Sequence, residues 1–190
     1  MTLLQIMSDD GSTVLVRSTD AEQIAGELAP LGVGFARWRQ WPLLSGAGPE
    51  EVRAAYHPEI DLLCAMGGYR LVDVVSLCRD PADPEWTDKA GKARQAFLDE
   101  HVHDEDEVRF FAAGRGCFYL HLDSQVYAVV CEAGDLLSVP AGTRHWFDMG
   151  SEPNFCVIRL FQNEEGWVAE FTGDPVARSI PRLDELLVAV

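Results

Sequence analysis

The spacing of hydrophobic residues changes period about halfway along the chain. Over residues 1–98 it is mixed. Residues 12–18, STVLVRS, alternate apolar and polar side chains as a short strand does. Asp20 then stands as an N-cap for a helix over Ala21–Leu28, which stops before Pro30 and Gly32. Residues 50–67, EEVRAAYHPEIDLLCAMG, are largely helical in spacing, with an interruption near Pro58 and a turn at Gly67 and Gly68. Residues 70–78, RLVDVVSLC, are β-branched and apolar enough for a strand or a buried connection. After the turn-rich DPADPEW, a helix is predicted over residues 86–99, with Ala90, Ala93, Phe97 and Leu98 on one side.

From His101 onward short runs of Val, Phe, Tyr and Leu alternate with Gly, Asp and Pro. Turn signals recur roughly every ten residues, the signature of a β-sandwich or barrel. The predicted class is mainly β, with additional helices from the N-terminal half. With no flexible linker, repeat or low-complexity stretch, residues 1–190 are expected to form one domain. In it a mixed α/β segment (1–98) packs on a β-sandwich core (99–174), followed by a C-terminal tail (175–190).

Composition narrows the function. Of 190 residues 31 are acidic and 15 basic, a formal net charge of −16. Such a surface repels phosphate backbones and anionic headgroups, so neither nucleic acid nor a membrane is expected as a partner. Residues 1–10 lack the basic start and apolar run of a signal peptide, and no stretch is long enough to cross a bilayer. The five cysteines, Cys64, Cys78, Cys117, Cys131 and Cys156, form no C-x-x-C pair. They are expected as reduced core residues in a cytoplasmic protein.

The chemistry concentrates in residues 101–110, HVHDEDEVRF. On a strand His101 and His103 face the same way, and Glu107 keeps that face if the strand continues or a short turn intervenes. Two imidazoles and a carboxylate form a competent ligand set for a divalent transition metal, although a strand histidine pair can also be plain surface decoration. In residues 134–150 a turn at Pro140 and Gly142 presents His145, either toward the first stretch or as a polar rim beside Trp146 and Phe147. Arg109 follows Glu107 by two. It suits either an oxyanion partner or a structural salt bridge to Asp104 or Asp106. Arg159, inside an apolar strand, must be paired or face a cavity. His121 is expected to be exposed near a hairpin turn, and His57 to be a turn residue.

In order and spacing, His101-x-His103 with Glu107 and Gly114 resembles the first motif of the cupin superfamily. Gly134 with Pro140-x-Gly142 and His145 resembles the second. Gln95 stands where the first motif usually opens on glycine, and Met149 where the second ends on asparagine. The phrases HVHDEDEVRFF, GRGCFYLHL, DLLSVPAGTRHWFDMG, FCVIRLF and EGWVAEFTGD are more specific, and resemble the acireductone dioxygenases within the cupins.

That resemblance implies a cupin jelly-roll β-sandwich (double-stranded β-helix). It implies a metal held by His101, His103, Glu107 and His145, with Arg109 against the substrate oxygens. Supporting roles fall to Glu100, in metal loading, and Asp106, in relaying local structural change. The implied cofactor is one Fe(II) or Ni(II) per chain, although nitrogen and oxygen ligands alone would also suit Co(II) or Mn(II). The implied partners are a small-molecule acireductone and O2, acting on a monomer of methionine salvage. The substrate would be 1,2-dihydroxy-3-keto-5-methylthiopentene. Its cleavage would give 4-methylthio-2-oxobutanoate and formate with Fe(II), or methylthiopropionate, formate and CO with Ni(II). The methylthio tail needs an apolar pocket, for which Phe97, Phe110, Phe147 and Trp167 are candidates, with Arg159 a second substrate contact. The alternatives are another metal-dependent cupin oxygenase or isomerase, and a non-catalytic cupin that binds a metal or small ligand.

Overall fold

The computed structural model describes residues 1–44, 46–163 and 168–188. In chain order the elements are β1 (Leu3–Ser8), β2 (Val14–Ser18), α1 (Ala21–Leu28), β3 (Gly34–Arg37), α2 (Pro49–Ala55), α3 (His57–Gly67), β4 (Leu71–Leu77) and α4 (Trp86–Gln95). There follow β5 (His101–Val102), β6 (Glu107–Leu122), β7 (Gln125–Glu132), β8 (Asp135–Val139), β9 (Arg144–Asp148), β10 (Phe155–Phe161), β11 (Glu170–Phe171) and α5 (Leu183–Val188). No described helix is long and apolar enough to cross a membrane.

The strands form two antiparallel sheets that share β6. One runs β11-β5-β9-β6-β7-β1-β2; the other joins β3, β8, the first half of β6, β10 and β4. This is the predicted mainly-β sandwich, with four strands of the N-terminal half built into its sheets. The runs 107–116 and 117–124, which read as separate strands in the sequence, fall largely in one strand of 16 residues, Glu107–Leu122. It crosses between sheets near Gly114, whose φ of 69° lies in the left-handed region that glycine tolerates. The β10 register slips beside this point, between Cys156 and Val157, so β6 carries a bulge there. The bulge shifts side-chain parity. Before it Arg109 and Phe111 line the interior while Phe110 packs outside; after it Phe118 and Leu120 lie inside while Cys117 and Tyr119 lie outside.

Two further clusters close the outer faces. The C-terminal segment with Val176, Ile180, Leu183 and Leu186 packs on the outside of β1, β6 and β7, where Tyr119 stacks on Trp146 at 5.1 Å. On the other face Val52, Tyr56 and Ile60 of the α2–α3 region cover Val108, Phe110 and Ile158. The helical run 50–67 breaks at Tyr56, two residues before Pro58, because Pro58 fits the first turn of a new helix better than the interior of an old one. The helix from Trp86 ends at Gln95, short of the predicted Asp99. The Phe97 carbonyl is taken by the Phe147 N–H instead (3.0 Å), which pulls the chain out of helix and onto β9.

A buried ion pair ties these layers together. Asp148, fully buried, accepts from Arg94 Nε (2.7 Å) and Nη2 (2.9 Å) and from the backbone N–H of Gly150 (2.9 Å) and Leu183 (3.0 Å). Burial alone would push its carboxyl up, but the Arg94 guanidinium and those N–H groups hold it below the ordinary aspartate value. Asp148→Asn should lower stability by about 2 kcal/mol at neutral pH, read by urea unfolding, because Arg94 would keep only Asp184, a half-exposed carboxylate 3.2 Å away, as its counter-charge. A carboxyl depressed on folding contributes stability above its unfolded pKa and loses it as pH falls through the folded value. The gap between parent and variant should therefore close on acidification below about 3.9. A gap that persists unchanged there would contradict the charge assignment.

Candidate metal centre

Three histidines and one glutamate converge at one end of the sandwich interior. His101 sits on β5, which is only two residues long, so the predicted H-x-H strand is interrupted: His103 already begins a turn and Glu107 opens β6. Asp106 Oδ1 accepts from the Ala141 N–H (3.0 Å), and the Gly142 N–H donates to the His103 carbonyl (2.8 Å). These bonds fasten the Pro140–Gly142 turn to the acidic turn, and His145 then pairs directly across from His101.

The geometry fixes the tautomers. His101 Nδ1 lies 3.0 Å from the Asp99 carbonyl oxygen, His103 Nδ1 2.7 Å from that of Glu105, and His145 Nδ1 2.8 Å from that of Thr143. A carbonyl only accepts, so each Nδ1 carries a proton, and whenever a ring is neutral its Nε2 is left with the lone pair. His103 Nε2 and His145 Nε2 lie 3.2 and 2.8 Å from the same atom, Glu107 Oε2. The His145 nitrogen finds no hydrogen-bond geometry there and stands as a buried, unsatisfied acceptor. Buried lone pairs that face one another in this way are resolved by a divalent cation, and carbonyl-oriented imidazoles are the usual support of metal-binding histidines. The donor atoms of His103, Glu107 and His145 all lie within 4.8 Å of one another. The His101 ring stands beside them, 4.5 Å from that of His145 and 6.3 Å from that of His103.

The electrostatics suit a cation. Burial would raise the Glu107 carboxyl, but the Arg109 guanidinium and the two imidazoles outweigh it and hold it well below the carboxylate range. Burial lowers His101. Burial also disfavours charge on His145, but its contact with Glu107 overrides this and raises the ring. Arg109 Nη2 lies 2.7 Å from Glu107 Oε1 and its Nη1 donates to the Val108 carbonyl (3.0 Å), so the arginine presents itself beside the ligand oxygen.

Beside His101, Glu107 and His145 opens a cavity of about 90 Å³. His101, Glu107, Arg109, His145 and Arg159 form its polar end; Phe97, Phe111, Phe118, Phe147, Met149 and Phe155 form much of its apolar wall. Phe97 and Phe147 thus stand where the sequence predicted. Phe110 does not: it faces outward, its ring 4.7 Å from both Trp38 and Tyr56. Trp167 lies outside the described residues. Arg159 is both paired and cavity-facing, with Nε 2.8 Å from Asp73 Oδ1 and a second contact from Nη2 to Oδ2. It sits directly across from Arg109 in the β6–β10 register.

Other expectations are corrected. His121 is buried, not exposed, with Nδ1 2.6 Å from Glu100 Oε2. Glu100, also buried, accepts from Thr172 Oγ1 as well (2.7 Å) and so ties β5 to β6 and to the chain after β11. Donor atoms of Glu100, His121 and Asp174 lie within 4.8 Å of one another, but the first two already satisfy each other. His57 opens a helix, with Nδ1 3.3 Å from Asp61. Sequence reasoning missed Glu105. It is buried and accepts from the backbone N–H of Gln162 and Asn163 (3.1 Å each), while its own carbonyl orients His103. It stands among Asp104, Asp106 and Glu107, and nothing in that acidic run marked it as the buried one.

Comparison with known proteins gives a consistent picture. The model of the ARD/ARD' family matches residues 6–169. "Acireductone dioxygenase 1" of Nocardia farcinica is 56% identical over 188 residues, covering 98% of this chain and all of the relative. "Acireductone dioxygenase" of Hahella chejuensis is 49% identical, over 98% of each chain. A solved structure, "Acireductone dioxygenase from Bacillus anthracis with cadmium ion in active center", superposes with a TM-score of 0.74 at 28% identity, covering 90% of this chain and 98% of that one.

Glu107→Gln keeps the volume of the glutamate but removes the charge that two imidazoles share. Metal affinity should fall by more than about a hundredfold, beyond the usual effect of disturbing a supporting group. Titration with Co(II) or Ni(II) by absorbance measures it. Binding as tight as the parent's would remove Glu107 from the ligand set.

Proposed function

This chain belongs to the acireductone dioxygenase family, and from that membership we infer that it is a metal-dependent dioxygenase of methionine salvage, cleaving an acireductone with O2. We assign the metal to His101, His103, Glu107 and His145. The observation that carries the assignment is the meeting of two imidazole Nε2 atoms on one glutamate oxygen, at the polar end of an otherwise apolar cavity. The ion is Fe(II) or Ni(II), one per chain, in a cytoplasmic monomer. Bound there, it supplies Lewis-acid polarisation and a net positive charge against a dianionic substrate.

The residues divide the remaining work. Arg109, fixed by Glu107 and the Val108 carbonyl, holds a permanent positive charge where the enediol's oxygens must lie. It favours the doubly deprotonated substrate, the electron-rich form that reacts with O2. Arg159, kept in place by Asp73, adds a second cation at the cavity wall, so the polar end attracts an anion despite the chain's net charge of −16. Phe97 and Phe147 exclude water and receive the methylthio tail. Asp106 holds the turn that delivers His145, and Glu100 holds the backbone beside His101.

The test is turnover of 1,2-dihydroxy-3-keto-5-methylthiopentene by protein loaded separately with each metal. The Fe(II) form should yield 4-methylthio-2-oxobutanoate and formate, and the Ni(II) form methylthiopropionate, formate and CO. Spectral perturbation of the anaerobic substrate with no consumption on admitting O2 would sink the enzymatic reading.

Arg109→Met should retain metal while lowering kcat/KM roughly a hundredfold or more, the scale of a lost oxyanion donor. The deficit should shrink as pH rises, since the substrate then ionises without the guanidinium's help. A variant profile parallel to the parent's across pH would refute the dianion role.

A further inference from the structure

Gly116 lies inside β6, buried, at a position where a strand normally carries a side chain that packs. Its backbone needs no glycine conformation, because only Gly114 among the glycines of this strand has a positive φ. The need is spatial. A Cβ added at residue 116 would lie 2.6 Å from Phe147 Cε2, closer still to its Cζ, and 3.4 Å from Phe111 Cε1. Both rings line the cavity that opens from the metal ligands.

Phe147 is confined on its other sides. Phe118 lies opposite it in the β6–β9 register, with ring centroids 4.8 Å apart, and Phe155 meets it edge-on at 6.1 Å. Its N–H is held by the Phe97 carbonyl (3.0 Å), so the backbone does not retreat either. A ring pushed off Gly116 moves toward the cavity. Phe147 is also two residues past His145 on the same strand, so the ring and the ligand share one face of β9.

We propose that Gly116 is a specificity-determining residue: its missing side chain lets the Phe147 ring lie back against β6 and keeps room for the substrate's apolar tail. The proposal rests on the reading that this cavity receives that tail. It deepens that reading by assigning the space to a residue that lines neither the metal nor the substrate oxygens. The ligand class it implies is an enediol carrying an unbranched, uncharged chain.

The test compares kcat/KM for the methylthio acireductone with that for an analogue whose tail is cut to a methyl group. Metal-loaded parent, Gly116→Ala and the double variant Gly116→Ala/Phe147→Leu are measured together. In Gly116→Ala the long-to-short ratio should fall about tenfold or more, the size of effect one misplaced methylene has in an apolar pocket. The double variant should recover most of it, because the smaller side chain returns the space. Gly116→Ala with the parent's ratio, or a double variant that recovers nothing, overturns the proposal. Should Gly116→Ala fail to fold, the double variant decides. Folding with a parent-like ratio supports the proposal, and failure of both overturns it, since the glycine would then serve the sheet alone. A parent with no preference between the two tails would instead sink the pocket reading, which keeps the two failures apart.

Discussion

Two imidazole nitrogens converge on one carboxylate oxygen in this protein, and long-range contacts of the chain keep that meeting in place. Each ring has already given its proton to a carbonyl two residues away in sequence, at Asp99, Glu105 and Thr143. Those carbonyls belong to turns and short strands that hold only because distant parts of the chain bind them. Gly142 caps the His103 carbonyl, Asp106 captures Ala141, and Glu105 grips the chain after β10. The three rings are thus oriented by backbone carbonyls, and the backbone around them is tied down by Glu105, which is buried, and Asp106. A cation turns an unfavourable collection of lone pairs into a favourable one.

The charges at the centre of this anionic chain are balanced locally. Glu107 is neutralised locally by Arg109 on one oxygen, while its other oxygen faces the two imidazoles. Asp73 neutralises part of Arg159, and the two guanidiniums flank the Phe161 ring at 5.1 and 5.3 Å from its centroid. Local field and net charge need not agree when the deciding charges are buried and close. The thiols play no part. Cys117 and Cys131 are fully buried, and burial pushes both well above the ordinary thiol range.

What could be read from the sequence follows the range of the interactions involved. The Asp20-capped helix was legible because its deciding bond, from the Gln23 N–H to the Asp20 side chain, is three residues long. The convergence of His101, His103, Glu107 and His145 was legible because spacing within two short motifs encodes it. Residues whose partners lie far away were not. His121 looks like a loop histidine until Glu100, 21 positions earlier, comes to meet it. Arg159 gave only the demand for a partner, which Asp73 meets from 86 positions away. The strand β1 is buried on both faces, Gln5 included, so alternation had nothing to report. The end of the helix at Gln95 depends on a carbonyl recruited by Phe147, a tertiary event that local pattern does not contain.

The 16-residue strand through both sheets carries Glu107 and Arg109 near its start and Gly116 and Phe118 beyond its bulge. The polar end of the cavity and its aromatic wall are therefore marks on one ruler, and their separation is set by a count of residues. Losing or gaining a single residue at the bulge would turn every later side chain of that ruler inside out. Drift in this family can swap side chains along the ruler far more easily than it can change the number of its divisions.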